Sequence, residues 1–273
     1  MIQITSLCDN VNNSKGLWSV EGNSLLINAF GVSLLFDVGR SAEILQHNLD
    51  QLKLNLNDFS AIILSHGHMG HVGAIRKMLL HSSVPVYYGK DFGLPKVKYK
   101  NGSFLRVKNE ELLFDAQKLF DTVEVENVIE LVDHKVYLFK TLDVSISDAD
   151  EKYFVCSEKQ YVPDAFSEEL NLCIKSSQGL ILLSGCAHRG VENLIQTAIK
   201  VFKDDRIYAI LGGTHIFNDI EKTHSYIELV KRYDVSIVAP SHCTGIFARA
   251  RIAEKLADRF ISLTTGEIIF LEE

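Results

Sequence analysis

Three histidines lie within six residues, at His66, His68 and His71, directly after the apolar run 61–64. Neutral imidazole is the commonest protein ligand for zinc and also suits iron and nickel. Side chains two residues apart in an extended segment point the same way, so His66 and His68 can face one side together. His71 can follow from the start of the next helix. Because clustered imidazoles are costly to bury unless something satisfies them, this stretch predicts a metal site rather than three solvated side chains.

Three later apolar strands also end in loops that contain histidine. These loops carry His188, His215 and His242. Ligands in layered α/β folds gather at one end of the sheet, where strands give way to loops. We therefore expect the later histidines to converge with residues 66–71. Taken alone, His215 is open to two interpretations, a structural side chain or a contact to substrate.

The spacing of apolar residues predicts the elements that must position these loops. Strands and helices alternate, which indicates a layered α/β fold. Strands are predicted at 2–5, 24–28, 32–36, 61–64, 84–88, 124–130, 134–140, 180–183, 207–211 and 235–239, and helices at 42–52, 72–80, 191–202 and 220–233. We expect a single domain over residues 1–273, with an insert near 88–135 that bears a hairpin. The dipeptide Asn101-Gly102 is a good hairpin turn.

Composition excludes several classes of function. The chain has 273 residues, of which 47% are hydrophobic, and a formal charge of −7. That charge argues against a nucleic-acid-binding surface as the main function. The N-terminus lacks the features of a signal peptide, and no run approaches the ~18 apolar residues that span a bilayer. We expect a cytoplasmic protein with a small-molecule substrate and no nucleic-acid or membrane partner, while a homodimer stays open.

The insert carries basic residues interleaved with aromatic ones in an otherwise acidic chain. Lys98, Tyr99 and Lys100 lie at its centre. If the insert folds over the metal site, these side chains could bind a phosphate and stack on a flat ring. The alternative is a solvated face of the hairpin.

The cluster His66-x-His68-x-x-His71, together with His188 and His242, resembles the metallo-β-lactamase superfamily. The closer resemblance is to its branch of dihydropterin-linked aminobenzene ribofuranosyl phosphate synthase-like proteins. Segments 21–26, 36–39, 183–188, 212–215 and 241–245 carry that resemblance, which runs from about residue 9 to 271. It implies a four-layer αββα sandwich with the metal site at one rim of the two sheets.

The resemblance also implies the metal ligands. The first metal would be held by His66, His68 and His188, an arrangement that leaves a fourth position open as in catalytic zinc sites. For a second metal, His71 and His242 remain. Two interpretations of Cys186 stay open, a ligand that supports the second metal or a small buried thiol. The implied cofactor is one or two zinc ions, with iron or manganese as alternatives.

Gly70 departs from the family pattern, which usually has aspartate at this position. A carboxylate there binds the second metal and orients the metal-bound hydroxide. We expect a metal-dependent hydrolase or related enzyme that acts through such a hydroxide on a small, phosphorylated or pterin-like molecule, weakened at its second site. No side chain is assigned as catalytic. The alternatives are a non-catalytic module that binds a metal or ligand, and an introduced substitution that removed the aspartate.

Overall fold

The computed structural model describes residues 1–79, 84–107, 121–142, 152–157 and 160–273. Within these ranges, two β-sheets pack face to face and helices cover both outer faces. Side chains of both sheets fill the space between them, such as Ile27 and Phe36 from the first and Leu172 and Leu183 from the second. The predicted four-layer αββα sandwich is therefore confirmed.

The first sheet contains the strand that leads to the histidine cluster. Its described strands are β1 (Ile2–Cys8), β2 (Ser24–Ala29), β3 (Val32–Phe36), β4 (Ala61–Leu64), β5 (Val86–Gly89), β8 (Thr122–Val125) and β17 (Ile268–Leu271). They follow the order β17-β1-β2-β3-β4-β5-β8, with β3, β4, β5 and β8 parallel. Strand β4 lies between two parallel neighbours, and all four of its residues are buried. Residues 66–71 therefore follow a rigid, central strand.

The second sheet contributes the later histidine loops. Its described strands are β9 (Val128–Val132), β10 (Val136–Lys140), β13 (Leu170–Ser176), β14 (Gly179–Ser184), β15 (Ile207–Gly213) and β16 (Ile237–Ser241). Their order is β16-β15-β14-β13-β10-β9. Because β14, β15 and β16 are parallel, their carboxyl ends lie at the same edge of the sheet.

Helices form the two outer layers. The described helices are α1 (Ala42–Gln51), α2 (Met69–Val72), α3 (Ile75–Leu79), α4 (Val191–Phe202), α5 (Ile220–Arg232) and α6 (Ile246–Leu256), with short 3-10 turns at Leu56–Asp58, His242–Thr244 and Ala257–Arg259. Helices α1 to α3 bury apolar side chains against the first sheet, in a cluster that includes Leu45 of α1 and Leu35 of β3. Helices α4 to α6 pack on the second sheet, in a cluster that includes Leu194 of α4 and Leu182 of β14.

A third, smaller sheet lies beside the sandwich. Its described strands are β6 (Lys96–Lys100), β7 (Ser103–Arg106), β11 (Tyr153–Ser157) and β12 (Gln160–Pro163), in the order β12-β11-β6-β7. The predicted hairpin is β6–β7, with both Asn101 and Gly102 at positive φ. Two further strands lie within the range of the predicted insert near 88–135. Strands β8 and β9 lie in that range but extend the first and second sheets, because each has a main-sheet strand to pair with.

Two predicted elements are divided in the structure. The strand expected at 124–130 is two strands in different sheets. The helix expected at 72–80 is α2 and α3, separated at Gly73, where a Cβ atom would lie 2.3 Å from the carbonyl oxygen of Arg40. Residue 80 lies outside the described residues. Among those described, no helix combines the length and hydrophobicity needed to cross a bilayer.

Candidate metal centre

The loops that bear histidine meet at one edge of the sandwich. His66 and His68 follow β4 of the first sheet, whereas His188, His215 and His242 follow β14, β15 and β16 of the second. The ring centroids of neighbouring histidines lie 4.1–4.8 Å apart. The structure therefore brings together residues that are up to 176 positions apart in the chain, because parallel strands in facing sheets end at the same rim.

His66, His68 and His188 form the first cluster, and their donor atoms all lie within 4.8 Å of one another. The Nε2 atoms of His66 and His188 are 3.2 Å apart. Two nitrogen ligands of a tetrahedral zinc ion are separated by a similar distance, about 3.3 Å. Nε2 of His68 and Nδ1 of His188 are buried with no hydrogen-bond partner among the described residues. This donor set fits a cation.

His71, His242 and Cys186 form the second cluster. Nε2 of His71 lies 3.1 Å from Nε2 of His242 and 3.2 Å from Sγ of Cys186. Cys243 also belongs to this group, since its sulfur, that of Cys186 and a nitrogen of His242 lie within 4.8 Å of one another. The sequence placed Cys243 beside a histidine without indicating that its side chain would reach Cys186.

Hydrogen bonds determine which nitrogen carries the proton in His71 and His242. Asp37 Oδ2 lies 2.6 Å from Nδ1 of His71, and Asn10 Oδ1 lies 2.9 Å from Nδ1 of His242. Both oxygens accept, and the backbone N–H of Gly22 donates to the same Asn10 oxygen. The network therefore assigns the proton to Nδ1 in each ring. The Nε2 lone pairs then face each other across 3.1 Å, which is unfavourable unless a cation lies between them.

Asp37 orients the first cluster as well. The backbone N–H of Ser65 donates to its Oδ1, and the Ser65 hydroxyl donates to its Oδ2, both at 2.8 Å. The same hydroxyl lies 2.9 Å from Nδ1 of His66. Because the hydroxyl donates its single hydrogen to Asp37, Nδ1 of His66 must be the donor in this contact. The Nε2 atom of His66 then carries a lone pair that can bind a metal. Sequence reasoning did not single out Asp37, because its contacts join segments that are distant in the chain.

Two further residues outside the predicted set hold His188. Phe166 stacks on the His188 ring, with centroids 3.9 Å apart and planes 4° apart. The buried carboxylate of Glu169 accepts from the backbone N–H of His188 at 2.7 Å and of Arg189 at 3.2 Å. Burial raises the pKa of Glu169 to about 7, although these two hydrogen bonds act in the opposite direction.

The buried imidazoles are held in their neutral form, which is the form that binds metals. Burial, assisted by neighbouring histidines, lowers the pKa of His66, His68, His188 and His242 well below the usual range. Burial also raises the pKa of the Cys186 thiol. A bound cation acts in the opposite direction, since it favours the thiolate.

Gly70 lies in α2 beside the second cluster. A Cβ atom built at this position would lie 3.6 Å from Cε1 and 3.8 Å from Nε2 of His242, and 3.4 Å from Cα of Gly22. These are ordinary contacts. The backbone therefore has room for a side chain that points toward His242, and glycine is not required here for steric reasons.

Several loops of the site adopt backbone conformations that non-glycine residues rarely occupy. Asp37, Ala187, His215 and His242 have φ angles of 62°, 51°, 53° and 47°. Such conformations are unfavourable and persist where surrounding contacts enforce them, which is common at functional sites.

The two clusters open into a cavity of about 450 Å³. Lys98, His215 and Tyr153 lie in its wall, and the Lys98 ammonium is 4.9 Å from the centre of the Tyr153 ring. Tyr99 and Lys100 are not among the described residues that line it. Tyr99 points to the opposite face of β6, where it contacts another aromatic ring, and Lys100 is exposed at the end of the strand.

A family model described as the metallo-beta-lactamase superfamily matches residues 19–156, just over half of the chain. The 7,8-dihydropterin-6-methyl-4-(beta-D-ribofuranosyl)-aminobenzene-5'-phosphate synthase of Methanocaldococcus jannaschii is 28% identical over 265 residues, covering 92% of this chain and 90% of its own. An uncharacterized protein of that organism is 26% identical over 272 residues, covering 98% and 99%. The crystal structure of Tm1679, described as a metal-dependent hydrolase of the beta-lactamase superfamily, has a TM-score of 0.83 at 23% identity, with both chains fully covered. That likeness shows the fold.

Proposed function

Because this chain belongs to the metallo-β-lactamase superfamily, we propose that it is a metal-dependent enzyme of the hydrolase type that acts on a small molecule. One observation carries the proposal. Five histidines and Cys186 bring their donor atoms together beside one cavity, with the closest pairs 3.1–3.2 Å apart. A purely structural cluster has no need for so many unprotonated donors that face one another.

The residues divide the chemistry between them. His66, His68 and His188 would hold the first cation, which would supply Lewis-acid chemistry by polarising a substrate oxygen and lowering the pKa of a water molecule. Asp37 and Ser65 keep the rings in the tautomers that bind. His71, His242 and Cys186 supply the second position, where zinc is the expected ion since it accepts both nitrogen and sulfur ligands.

For the substrate, we propose a phosphorylated or pterin-like molecule. The name of the 28% identical relative contains both a dihydropterin and a 5'-phosphate. In this chain, Lys98 offers a positive charge in the cavity wall, while Tyr153 and Phe217 offer aromatic surfaces. The cavity volume of about 450 Å³ is in the range that small ligands occupy. We propose that His215, which lies between His188 and Phe217, contacts the substrate.

The experiment combines metal analysis with turnover. The protein is loaded in turn with zinc, manganese or iron, and its metal content and activity on generic phosphoesters and esters are measured. We expect bound metal and turnover that both fall in His68→Gln and His188→Gln, with an unchanged melting temperature of the metal-free protein. Negligible metal at saturating zinc or iron would contradict the proposal.

A charge reversal tests the substrate class. Lys98→Glu should weaken binding of a phosphorylated ligand, because its side chain lies in the cavity wall. Lys100→Glu is the matched control on the same strand, since Lys100 is exposed and outside the lining. If both variants bind the ligand as the unmodified protein does, Lys98 has no part in phosphate recognition.

A non-catalytic binding module is the second candidate, and Gly70 favours it. A site without the motif carboxylate could hold a metal or ligand without turning it over. Protein that is saturated with metal, binds phosphorylated ligands and shows no turnover on any substrate class would support this candidate over the enzyme.

A further inference from the structure

Arg249 of α6 is not among the proposed metal ligands, yet it contributes to the wall of the same cavity. It is only 7% exposed. Its Nη2 donates to both carboxylate oxygens of Asp9, each at 2.9 Å. Its Nε and Nη1 are buried and have no hydrogen-bond partner among the described residues. Buried guanidinium N–H groups left without acceptors are costly, so these donors indicate a ligand.

Asp9 holds this arginine beside the second cluster. The carboxylate is fully buried, and it also accepts from the backbone N–H of His242 at 2.6 Å and of Val11 at 3.0 Å. Arg249 cannot turn away without leaving that carboxylate unpaired. Asp9 therefore links the guanidinium to the backbone of His242 and fixes its position. Two nitrogens of the guanidinium, Nε and Nη1, can still donate.

The surrounding wall suits an anion. Glu21 is the one carboxylate among the described lining residues, and it pairs with Arg40 at 2.9 Å. Gly70 adds no charge, whereas Lys98 adds a positive one. Asp9 balances the formal charge of Arg249, so the arginine contributes directed N–H donors, which match the oxygens of phosphate and carboxylate groups.

We propose that Arg249 binds an oxyanion of the ligand, a phosphate or a carboxylate, and so fixes the ligand against the second cluster. The role in substrate recognition rests on the proposed function, whereas the anion site itself requires no metal. Arg249 is thus a positioning group on the side of His242, and Lys98 lies in the wall near His68 through its contact with Tyr153.

The experiment titrates inorganic phosphate, and acetate in parallel, into metal-free protein by calorimetry. Arg249→Lys keeps a charge for Asp9 but removes the additional donors, and we expect it to weaken binding at least about tenfold. Arg251→Gln, an exposed arginine of the same helix, should bind as the unmodified protein does. Tighter binding of phosphate than of acetate identifies a phosphoryl site, and the reverse a carboxylate site. The proposal is overturned if neither anion binds or if Arg249→Lys, with an unchanged melting temperature, retains full affinity.

A second variant tests the location. Gly70→Asp places a carboxylate toward His242 and should weaken phosphate binding by metal-free protein, whereas Gly93→Asp, in open space, should not. Equal affinity in both variants would place the anion elsewhere and contradict the proposal. These results are distinguishable from failure of the proposed function. If only the proposed function is wrong, the protein binds phosphate through Arg249 but takes up no metal.

Discussion

Gly70→Asp should create a stronger second metal site. The Cβ atom would enter at ordinary contact distances, 3.6 and 3.8 Å from the His242 ring atoms and 3.4 Å from Gly22. The carboxylate oxygens lie about 2.4 Å beyond Cβ, within reach of an ion shared by His71 and His242. Aspartate is no worse than glycine inside a helix, so the fold should tolerate the change.

The size of the effect follows from the ligand count. The second cluster offers two neutral imidazoles and Cys186. Burial raises the pKa of the Cys186 thiol and so disfavours its thiolate, which means that the cluster offers little negative charge to balance a dication. Loss of even an outer-shell partner typically lowers metal affinity 10–100-fold. A direct carboxylate ligand should therefore raise the affinity for the second ion at least about tenfold, or about 1.4 kcal/mol.

Zinc titration of metal-free protein by calorimetry, with elemental analysis of the product, measures this change. We expect one tight and one weak ion in the unmodified chain, and two tight ions in Gly70→Asp. Gly93→Asp carries the same added charge at an exposed position with nothing within 4 Å. If Gly70→Asp gains no more zinc than Gly93→Asp, position 70 does not limit the site and the reasoning fails.

Three further predictions test the residues that hold the metal centre in place. Asp37→Asn should lower zinc affinity about 10–100-fold, measured by competition with a chelator, because an amide NH2 replaces one of the two acceptor oxygens that orient His71 and Ser65. Lys96→Met should lower the free energy of unfolding by about 3–5 kcal/mol in denaturant, because it leaves the buried Asp164 and Glu168 carboxylates unpaired, whereas exposed Lys90→Met should change it little. Stability of metal-free protein should fall as pH drops below about 6.5, since the four buried histidines with lowered pKa take up protons mainly when the chain is unfolded. Burial raises the pKa of the Glu169 and Asp164 carboxyls, so these two groups act in the opposite direction against the four histidines. If the free energy of unfolding of metal-free protein is the same at pH 7 and pH 5, this prediction is wrong.

The elements that depend on the local spacing of apolar residues could be predicted from the sequence. The strand before the histidine cluster and helix α4 lie at the predicted residues, because apolar spacing determines them directly. The gathering of histidines at one rim follows from the rule that parallel strands end together. The predicted ligand set and the insert as a domain feature stay predictions, although the structure brings the proposed ligands together.

The remaining features depend on contacts between distant segments. Asp37 reaches Ser65 across 28 positions, and Arg249 reaches Asp9 across 240. Neither pair has a local signature. The break of the helix at Gly73 comes from the close approach of the Arg40 backbone, which the apolar spacing of 72–80 does not reveal. The burial of Lys96 likewise has no local signature, since it depends on ion pairs with Asp164 and Glu168, more than 60 positions away.

The ion pairs of Lys96 determine how firmly one wall of the cavity is held when a ligand binds. Lys96 belongs to the small sheet, its partners Asp164 and Glu168 belong to the loop after β12, and its ammonium lies 4.5 Å from the centre of the Phe166 ring that stacks on His188. The sheet that carries Lys98 and Tyr153 is thereby joined to the loop behind the first cluster. It acts as a fixed wall rather than as a lid. A ligand then enters a preformed space and loses little free energy to the ordering of protein around it.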